Sequence, residues 1–230
     1  MDKIAVLFDI DGTLVRTGGA GARALDRALD ELHGIPDGMS RVKSAGRTDP
    51  LIVRDIFRAA KPGHPLKDEE VYRVLARYVE ILAQELRDTD TFRVLPGLPD
   101  LLEDLHASGK AIVGLATGNV ESGGKVKLSH GGLWKYFPFG GFATDAEDRS
   151  ELTRIAVRRA RESAGYEIPS ERIFIVGDTP HDITAARASG VRVVAVATGP
   201  HESKDLHPHR PDFLLENLSD RRRFLEIVGL

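Results

Sequence analysis

The feature that most constrains this chain is a short apolar run near its start that ends in two carboxylates. Residues 4–8 read IAVLF, and Asp9 and Asp11 follow them closely. An uninterrupted apolar run of this length is typical of a strand covered on both faces of a parallel sheet. Two like charges so close together repel each other and resist burial, so the pair requires a cation or a difference in protonation. The run therefore predicts the first strand of a parallel sheet with a charged site at its end.

From about residue 97 onward, the chain repeats a unit of helix, glycine and short Val/Ile-rich strand. Gly109, Gly165 and Gly190 each stand between a helix and a strand, where a helix C-cap residue at positive φ is wanted. The apolar residues 213–215 predict a last strand before a short terminal helix. The repeated unit predicts an α/β fold with a doubly wound parallel sheet.

Residues 20–90 differ from the rest, because they carry helical periodicity and almost no strand signal. The apolar stripes at helical spacing are Leu25, Ala28, Leu29 and Leu32, and Val71, Val74, Leu75, Tyr78, Val79, Leu82 and Leu86. Segments suited to hinges, at residues 16–22 and 92–99, flank this part of the chain. We therefore predict an all-helical domain of residues 16–94, inserted into an α/β core of residues 1–15 and 95–230.

Composition narrows the functions that this chain supports. Apolar residues make up 41% and charged residues 29%, as in ordinary globular proteins. The net charge of −3 gives no basic field for nucleic acid or an anionic membrane, so we expect neither partner. The absence of cysteine excludes disulfides, thiol catalysis and cysteine-ligated metal sites. The apolar runs are too short for a signal peptide or a membrane span, which predicts a cytoplasmic protein. Both a monomer and a homodimer agree with the sequence.

Three predicted strands end in polar residues of the kinds that bind metals and phosphate. These residues are Asp9 and Asp11 after the first strand, Thr117, Gly118 and Asn119 after a second, and Asp178, Thr179 and Asp182 after a third. The carboxyl ends of parallel strands meet at one edge of a sheet, where ligands bind. Any one of these residues could instead cap a helix, and for Asp182 alone that alternative is equally good. The whole set favours a functional site.

The carboxylates of Asp9, Asp11 and Asp178 favour a divalent cation. They would repel one another unless Mg²⁺, which prefers carboxylate and water oxygens, lay among them, and such a Mg²⁺ usually also binds a substrate phosphate. One carboxylate can then attack phosphorus, and a second, two residues on, can carry the proton of the leaving oxygen and of the attacking water. Gly12 and Gly177 let the backbone turn beside these acids.

Three motifs resemble those of one family, the haloacid dehalogenase superfamily. They are FDIDGT at residues 8–13, GLATGN at residues 114–119 and GDTPHD at residues 177–182. Over essentially its whole length, the chain resembles the phosphatases of this superfamily that carry a helical cap after the first strand, close to the phosphoglycolate phosphatase group. The resemblance implies a Rossmann-like core, a Mg²⁺ cofactor and an aspartyl-phosphate intermediate. It also implies a small phosphorylated metabolite, such as phosphoglycolate, as the substrate.

The resemblance implies a role for each residue of the motifs. Asp9 would be the nucleophile and a Mg²⁺ ligand, and Asp11 the general acid and base, with its backbone carbonyl as another ligand of the metal. Thr117 and the amide that follows it would hold the phosphoryl oxygens, and Asp178 would bind the metal directly. Gly118 and Asn119 would lie beside the substrate, and Gly12, Thr13 and Gly177 would support the catalytic loops. Asp182 would order a metal-bound water or the loop.

The cation that balances the nucleophile and the phosphate departs from the family pattern. The family carries a lysine just ahead of the helix before its last motif, and this chain has Arg149 at that place. An arginine would offer a fork of donors in place of a point charge. Lys127 is the alternative, and either side chain could instead be a solvated surface cation.

A loop of the helical insert, SAGRTDP at residues 44–50, is the expected place for substrate recognition. In capped members of the family, a glycine-bearing loop dips into the active site, so Arg47 would meet a carboxylate or a second phosphate there. Thr48 and Asp49 could equally cap the helix predicted at residues 50–60.

Three other functions compete with a phosphatase. A haloacid dehalogenase would use Asp9 but neither Asp11 nor Mg²⁺, so the intact pair argues against it. A phosphosugar mutase would share every core motif, and Thr13, where such mutases often carry an apolar residue, favours hydrolysis only weakly. A catalytically idle binding or regulatory domain would normally have lost a key acid, and none is lost here.

Three histidines near the end of the chain are a second possible metal site. His201, His207 and His209 are irregularly spaced, and the prolines among them forbid a helix that would align them. We therefore predict a solvated loop rather than a zinc site.

Overall fold

The computed structural model describes residues 3–63 and 65–230, and a parallel sheet lies at its centre. The sheet has six strands in the order β5-β4-β1-β6-β7-β8. They are β1 (Ile4–Phe8), β4 (Ala111–Ala116), β5 (Gly140–Gly141), β6 (Ile173–Gly177), β7 (Arg192–Val196) and β8 (Phe213–Leu215). A separate antiparallel ribbon pairs β2 (Val15–Arg16) with β3 (Arg93–Val94). The predicted α/β fold with a parallel sheet is confirmed.

Helices form the segment between β2 and β3 and flank the sheet. The first group is α1 (Ala20–His33), α2 (Asp49–Ala60) and α3 (Asp68–Asp88). The second group is α4 (Asp100–Ala107), α5 (Glu121–His130), α6 (Arg149–Ala164), α7 (Pro180–Ala188), α8 (Ser203–Leu206) and α9 (Arg221–Val228). Within residues 3–63 and 65–230, no helix combines the length and the apolar character needed to cross a bilayer.

Strand β1 is buried on both faces, as its uninterrupted apolar sequence predicts. Ile4, Val6 and Phe8 belong to one hydrophobic cluster, and Ala5 and Leu7 belong to another on the opposite face of the sheet. Side chains alternate across a strand, so each face of β1 packs against a separate layer. This double coverage fixes β1 in the middle of the fold.

The register of the sheet brings three strand ends to one edge. Phe8, the last residue of β1, lies opposite Leu115 of β4 on one side and Val176 of β6 on the other. The residues that follow these positions therefore emerge side by side. The strand order also reverses at β1, and ligands bind in the crevice that such a reversal opens at the carboxyl ends.

The helices α1, α2 and α3 share a hydrophobic cluster of their own. Most of the stripe residues predicted from helical periodicity are buried in it, but Leu32 is 37% exposed, so that prediction was wrong for this residue. Val120 and Ala143, from the sheet-bearing part of the chain, join the same cluster. The helical segment therefore packs directly beside the carboxyl edge of the sheet.

Two local predictions have different outcomes. The three glycines predicted to follow helices adopt positive φ, at +63° for Gly109, +74° for Gly165 and +67° for Gly190, which confirms the predicted C-cap conformation.

The segment of His207 and His209 is not a simple loop, because α8 and a single 3₁₀ turn at residues 207–209 occupy it. Proline sits in that turn at an early position, where its missing N–H is tolerated.

Candidate active site

Three carboxylates meet at the carboxyl edge of the sheet. Asp9 follows β1, Asp178 follows β6, and Asp182 lies in the first turn of α7. One oxygen from each of the three lies within 4.8 Å of the others, and all three side chains are buried. The predicted convergence of acids from separate segments is therefore present in the structure.

Asp9 lies between a cation and a hydroxyl group. Its Oδ1 lies 3.1 Å from Nη2 of Arg149, and the Thr117 hydroxyl hydrogen-bonds to it. Burial raises the pKa of Asp9 to about 6, with the positive charge of Arg149 opposing the rise and the nearby carboxylates adding to it. The charge of Arg149 alone therefore does not offset the burial of the Asp9 carboxylate, and a further positive charge would favour its ionised form.

Asp178 is held by a hydroxyl group and enclosed by backbone. Thr13 donates from Oγ1 to Oδ1 of Asp178 at 3.1 Å. A Cβ placed on Gly199 would lie 1.6 Å from Oδ2 of Asp178, and one on Gly12 would lie 2.5 Å from it. Burial raises the pKa of Asp178 well above its usual value, and the charges of Asp182 and Asp9 raise it further. Two glycines are therefore required where the backbone closes around this carboxylate.

Asp182 connects the start of α7 to the cation of the site. Its Oδ2 accepts hydrogen bonds from the backbone N–H of Thr179 at 3.0 Å and from the Thr179 hydroxyl at 2.7 Å. Its Oδ1 accepts a hydrogen bond from Nη2 of Arg149 at 2.5 Å. Asp182 therefore caps a helix and holds Arg149 as well, so the two interpretations of this residue do not exclude each other.

Asp11 is not part of the cluster of three buried carboxylates. Its Oδ2 accepts hydrogen bonds from Nζ of Lys127 at 2.6 Å and from Nδ2 of Asn119 at 2.8 Å. The side chain of Asp11 is 45% exposed, whereas that of Lys127 is only 5% exposed. Burial alone would lower the pKa of Lys127, but the charge of Asp11 raises it above its ordinary value. Lys127 is therefore charged and fixes the Asp11 carboxylate in the cavity.

The two candidate cations form ion pairs with different carboxylates. Arg149 contacts the carboxylates of Asp9 and Asp182, and Lys127 contacts Asp11. Arg149 is the first residue of α6, where the Asp148 side chain caps the helix by accepting the Glu151 N–H. Arg149 and Lys127 were predicted as alternatives for one place, but the structure puts both beside the carboxylates of the site.

Gly177 was predicted to give the backbone a turn, and that reason was wrong. Positive φ occurs at Gly12, at +77°, but Gly177 is not among the residues with positive φ. A Cβ on Gly177 would instead lie 2.2 Å from Cγ of Asp182. The requirement at Gly177 is steric, because the carboxylate of α7 packs against its α-carbon.

The loop of residues 44–49 closes over this edge of the sheet. The N–H of Asp49 donates to the carbonyl of Gly118 at 2.8 Å, and the carboxylate of Asp49 accepts the N–H of Val120 at 2.9 Å. Nη1 of Arg149 donates to the carbonyl of Gly46 at 3.3 Å. These bonds join the helical segment to the residues that were predicted to bind phosphate.

Asp49 is a site residue that sequence reasoning missed. Burial raises its pKa to about 6, with the charge of Lys127 opposing the rise. Its neighbour Thr48 occupies the N-cap position of α2, but the Thr48 hydroxyl donates to the carbonyl of Glu147 at 2.8 Å rather than capping the helix. A Thr-Asp pair before a helix is normally a cap, so nothing in the local sequence separated these residues from that role.

Arg47 lines the cavity, but its charge is already paired. Its Nη2 donates to the carboxylate of Asp55, in the second turn of α2. The same carboxylate accepts a hydrogen bond from Arg58. That Arg47 binds substrate therefore stays a prediction.

The site opens into a cavity of about 660 Å³ between the sheet edge and the helical segment. One side carries the charged residues Asp9, Asp11, Lys127, Arg149 and Asp178. The other side carries residues of the ribbon and of the helical segment, which include the charged residues Arg16, Arg47, Asp49 and Arg93. The reacting group would therefore bind at the sheet edge, and the rest of a ligand would face the helices.

The donor set fits the divalent cation that the family pattern implies. Asp9 and Asp178 supply buried carboxylate oxygens, which are ligands that Mg²⁺ prefers, and Asp182 adds a third buried carboxylate beside them. Arg149 supplies a single positive charge against three carboxylates, so an excess of negative charge remains. Burial and the neighbouring carboxylates raise the pKa of Asp9 and that of Asp178, and the charge of a divalent cation would oppose this rise.

Comparison with known proteins agrees with this geometry. The family model of haloacid dehalogenase-like hydrolases matches residues 6–196. The chain is 28% identical over 218 residues to phosphoglycolate phosphatase 1 of Pseudomonas aeruginosa, covering 94% of this chain and 77% of that one. It is 30% identical over 226 residues to pyrophosphatase PpaX of Bacillus pumilus, covering 97% and 95%. The fold resembles that of a β-phosphoglucomutase from Clostridium difficile, with a TM-score of 0.75, 15% identity and coverage of 100% and 98%.

Proposed function

The chain belongs to the haloacid dehalogenase-like hydrolase family, and from that premise we propose that it is a Mg²⁺-dependent phosphatase of phosphomonoesters. The observation that carries this proposal is the pairing of two acids with different surroundings. Asp9 is buried among carboxylates and beside Arg149, whereas Asp11 is partly exposed and beside Lys127. One acid is suited to attack phosphorus and the other to carry a proton.

In this proposal, Asp9 attacks the phosphorus atom and forms an aspartyl phosphate. The Thr117 hydroxyl and the backbone amide of Gly118 hold the phosphoryl oxygens, since both follow β4 directly at the sheet edge. Arg149 stabilises the charge that develops on the phosphoryl group, and such fixed charges are a major part of rate enhancement in phosphoryl transfer. A Mg²⁺ ion held by Asp9, Asp178 and the backbone carbonyl of Asp11 would neutralise further charge on the phosphoryl oxygens.

Asp11 then acts twice. It donates a proton to the leaving alcohol oxygen, and it later accepts a proton from the water that hydrolyses the aspartyl phosphate. Its hydrogen bonds to Lys127 and Asn119 fix the carboxylate, and its partial exposure lets protons exchange with solvent. The loop of residues 44–49 would exclude bulk water while the intermediate exists.

The test is phosphate release from a simple aryl phosphate, with and without Mg²⁺. We expect release that requires the metal and that falls at least about 10³-fold in Asp9→Asn, because the attacking carboxylate is gone. Asp30→Asn, an exposed acid of α1, is the matched control and should keep full activity. Full activity of Asp9→Asn, or release that is indifferent to Mg²⁺, would contradict the proposal. Conversion of a sugar phosphate into its isomer, with no release of phosphate, would point to a mutase instead.

A further inference from the structure

Part of the cavity lining that comes from the helical segment is apolar. We call this surface the apolar wall and define it as Ala22, Leu25, Met39, Ile52, Leu75 and Tyr78. Leu25, Ile52, Leu75 and Tyr78 are at least nine-tenths buried, so helix packing fixes their positions. Apolar residues arranged in this way bind apolar parts of ligands, since pockets of this kind use few polar groups for orientation.

The wall begins beside the acid that would protonate the leaving group. Nζ of Lys127 lies 2.6 Å from Asp11. A Cβ on Gly21 would lie 3.9 Å from that same Nζ and 3.8 Å from the Tyr78 hydroxyl. Asp11, Lys127, Gly21 and Tyr78 therefore lie next to one another, and the wall continues from Tyr78. The leaving alcohol, which must lie at Asp11, thus projects toward apolar side chains.

Three of the cations that line the cavity already have hydrogen-bond partners, which bears on what the far end of the substrate carries. Arg47 is bound to Asp55, and Lys127 is bound to Asp11 and Asn119. Arg16 donates two hydrogen bonds to the carbonyl of Thr198. None of the six residues of the apolar wall is charged, so the wall itself offers no partner to a second anionic group.

The size of the cavity also disagrees with a very small substrate. A volume of about 660 Å³ lies in the range of pockets that hold ligands of drug size. A two-carbon phosphorylated acid would leave most of this space to water against apolar side chains. Water there gains few hydrogen bonds, so its displacement by an apolar group is favourable.

From these observations we propose that the substrate is a phosphomonoester of an apolar alcohol, with an aromatic ring or an alkyl chain of about six or more carbons. This inference rests on the phosphatase function proposed above. In the reaction, the bond between phosphorus and the alcohol oxygen breaks and a bond to an Asp9 oxygen forms, while Asp11 gives its proton to the alcohol. Water then cleaves the aspartyl phosphate, which yields inorganic phosphate and restores the Asp9 carboxylate.

The experiment compares kcat/KM for a series of straight-chain alkyl phosphates from ethyl to octyl phosphate, with phosphoglycolate included. Simple alcohols leave about equally well, so chain length isolates binding at the wall from leaving-group chemistry. We expect kcat/KM to rise about threefold to fourfold with each added methylene group until the wall is covered, and phosphoglycolate to rank with the shortest esters.

A variant locates the effect on the wall. Ala22 is only partly buried and faces the cavity, so Ala22→Phe would place a ring in the space that the chain of the substrate needs. We expect the ratio of kcat/KM for octyl phosphate to that for ethyl phosphate to fall at least tenfold in this variant. The matched control is Leu32→Phe, an exposed position on the same helix, in which the ratio should stay as in the wild type.

The outcomes separate this inference from the function on which it rests. If the wild type hydrolyses ethyl phosphate with Mg²⁺ but shows no dependence on chain length, or prefers phosphoglycolate, the inference is overturned and the phosphatase function stands. If no phosphate ester is hydrolysed with Mg²⁺, the phosphatase function itself fails. The chain-length series needs only the wild type, so it decides the matter even if Ala22→Phe does not fold.

Discussion

The two sides of the cavity are built on opposite principles. The sheet edge presents carboxylates, two cations and a hydroxyl group, and these groups are paired with one another at hydrogen-bond distance. The apolar wall presents aliphatic and aromatic side chains that are fixed by helix packing. Groups at the edge can change charge on the reacting atoms, whereas groups on the wall can change only how well a ligand fits. We therefore expect substitutions at the edge to alter rates for all esters and substitutions on the wall to alter the choice among them.

The largest effect should come from the proton carrier at the edge. Asp11→Asn removes the proton that the leaving alcohol needs, so hydrolysis of ethyl phosphate should fall by about 10²–10⁴-fold. An ester with a good leaving group, such as para-nitrophenyl phosphate, needs less help and should lose much less in the first step. The kcat/KM values for the two esters, which report the first step alone, measure this difference, and equal losses of kcat/KM for both would show that Asp11 does not act on the leaving group.

Arg149 offers the next largest effect. Arg149→Ala removes the charge beside Asp9 and leaves Asp182 without its partner, so we expect kcat to fall by about 10²–10³-fold for short and long esters alike. Arg149→Lys keeps the charge but loses the guanidinium group that reaches both carboxylates. Its activity should therefore lie between that of the wild type and that of Arg149→Ala. Arg154→Ala, an exposed residue of the same helix, is the control. A loss of kcat confined to long esters would mean that Arg149 acts through binding at the apolar wall rather than on the phosphoryl group.

A substitution at Gly199 would perturb the carboxylate of Asp178 sterically, without changing any charge. Gly199→Ala would put a Cβ 1.6 Å from Oδ2 of Asp178, so the carboxylate must move, and we expect Mg²⁺ affinity to weaken by about 10–100-fold. Calorimetry or the Mg²⁺ dependence of the rate measures this affinity. Gly123→Ala in α5 is the matched control. A Cβ on Gly123 would lie 3.4 Å from its nearest neighbour, Cγ2 of Val120, which is an ordinary van der Waals contact. Unchanged affinity in Gly199→Ala would mean that Asp178 does not hold the metal.

The smallest effect concerns stability without metal. Asp9 has a pKa of about 6 in the folded chain against an ordinary value of 3.8, so ionising it above pH 6 costs folding free energy that is absent below pH 4. Asp9→Asn imitates the neutral carboxyl and should stabilise the metal-free protein at pH 7.5 by on the order of 1–3 kcal/mol. The gain should vanish toward pH 4. Denaturant unfolding in EDTA measures it, and a destabilised variant at pH 7.5 would contradict the assigned charge balance.

The same two sides differ in how far the sequence predicts them. The edge was predictable because Asp9, Thr117 and Asp178 each follow an apolar strand, and parallel strands end together. Arg149 was found because a resemblance to one family fixed where a cation should stand. The position of a residue along the chain was enough in these cases.

The wall and the loop above it were not predictable in this way. Leu25 and Leu75 look like ordinary core residues of their helices, and only the docking of the helical segment turns them toward a cavity. Asp49 looks like a helix cap, and Lys127 looks like a surface cation until the fold places it against Asp11. These roles depend on contacts between segments that are far apart in sequence, which local patterns do not contain.

In the proposed mechanism, Asp9 carries the phosphoryl group between substrate and water. The most direct measurement is acid quenching of the Asp11→Asn variant during turnover of para-nitrophenyl phosphate with Mg²⁺, followed by peptide mapping for phosphate. In this variant the attack still occurs, but the loss of the base slows the hydrolysis of the intermediate. We expect a phosphorylated peptide with phosphate on Asp9, and none in Asp9→Asn. Turnover with no phosphorylated Asp9, or phosphate on another residue, would contradict it.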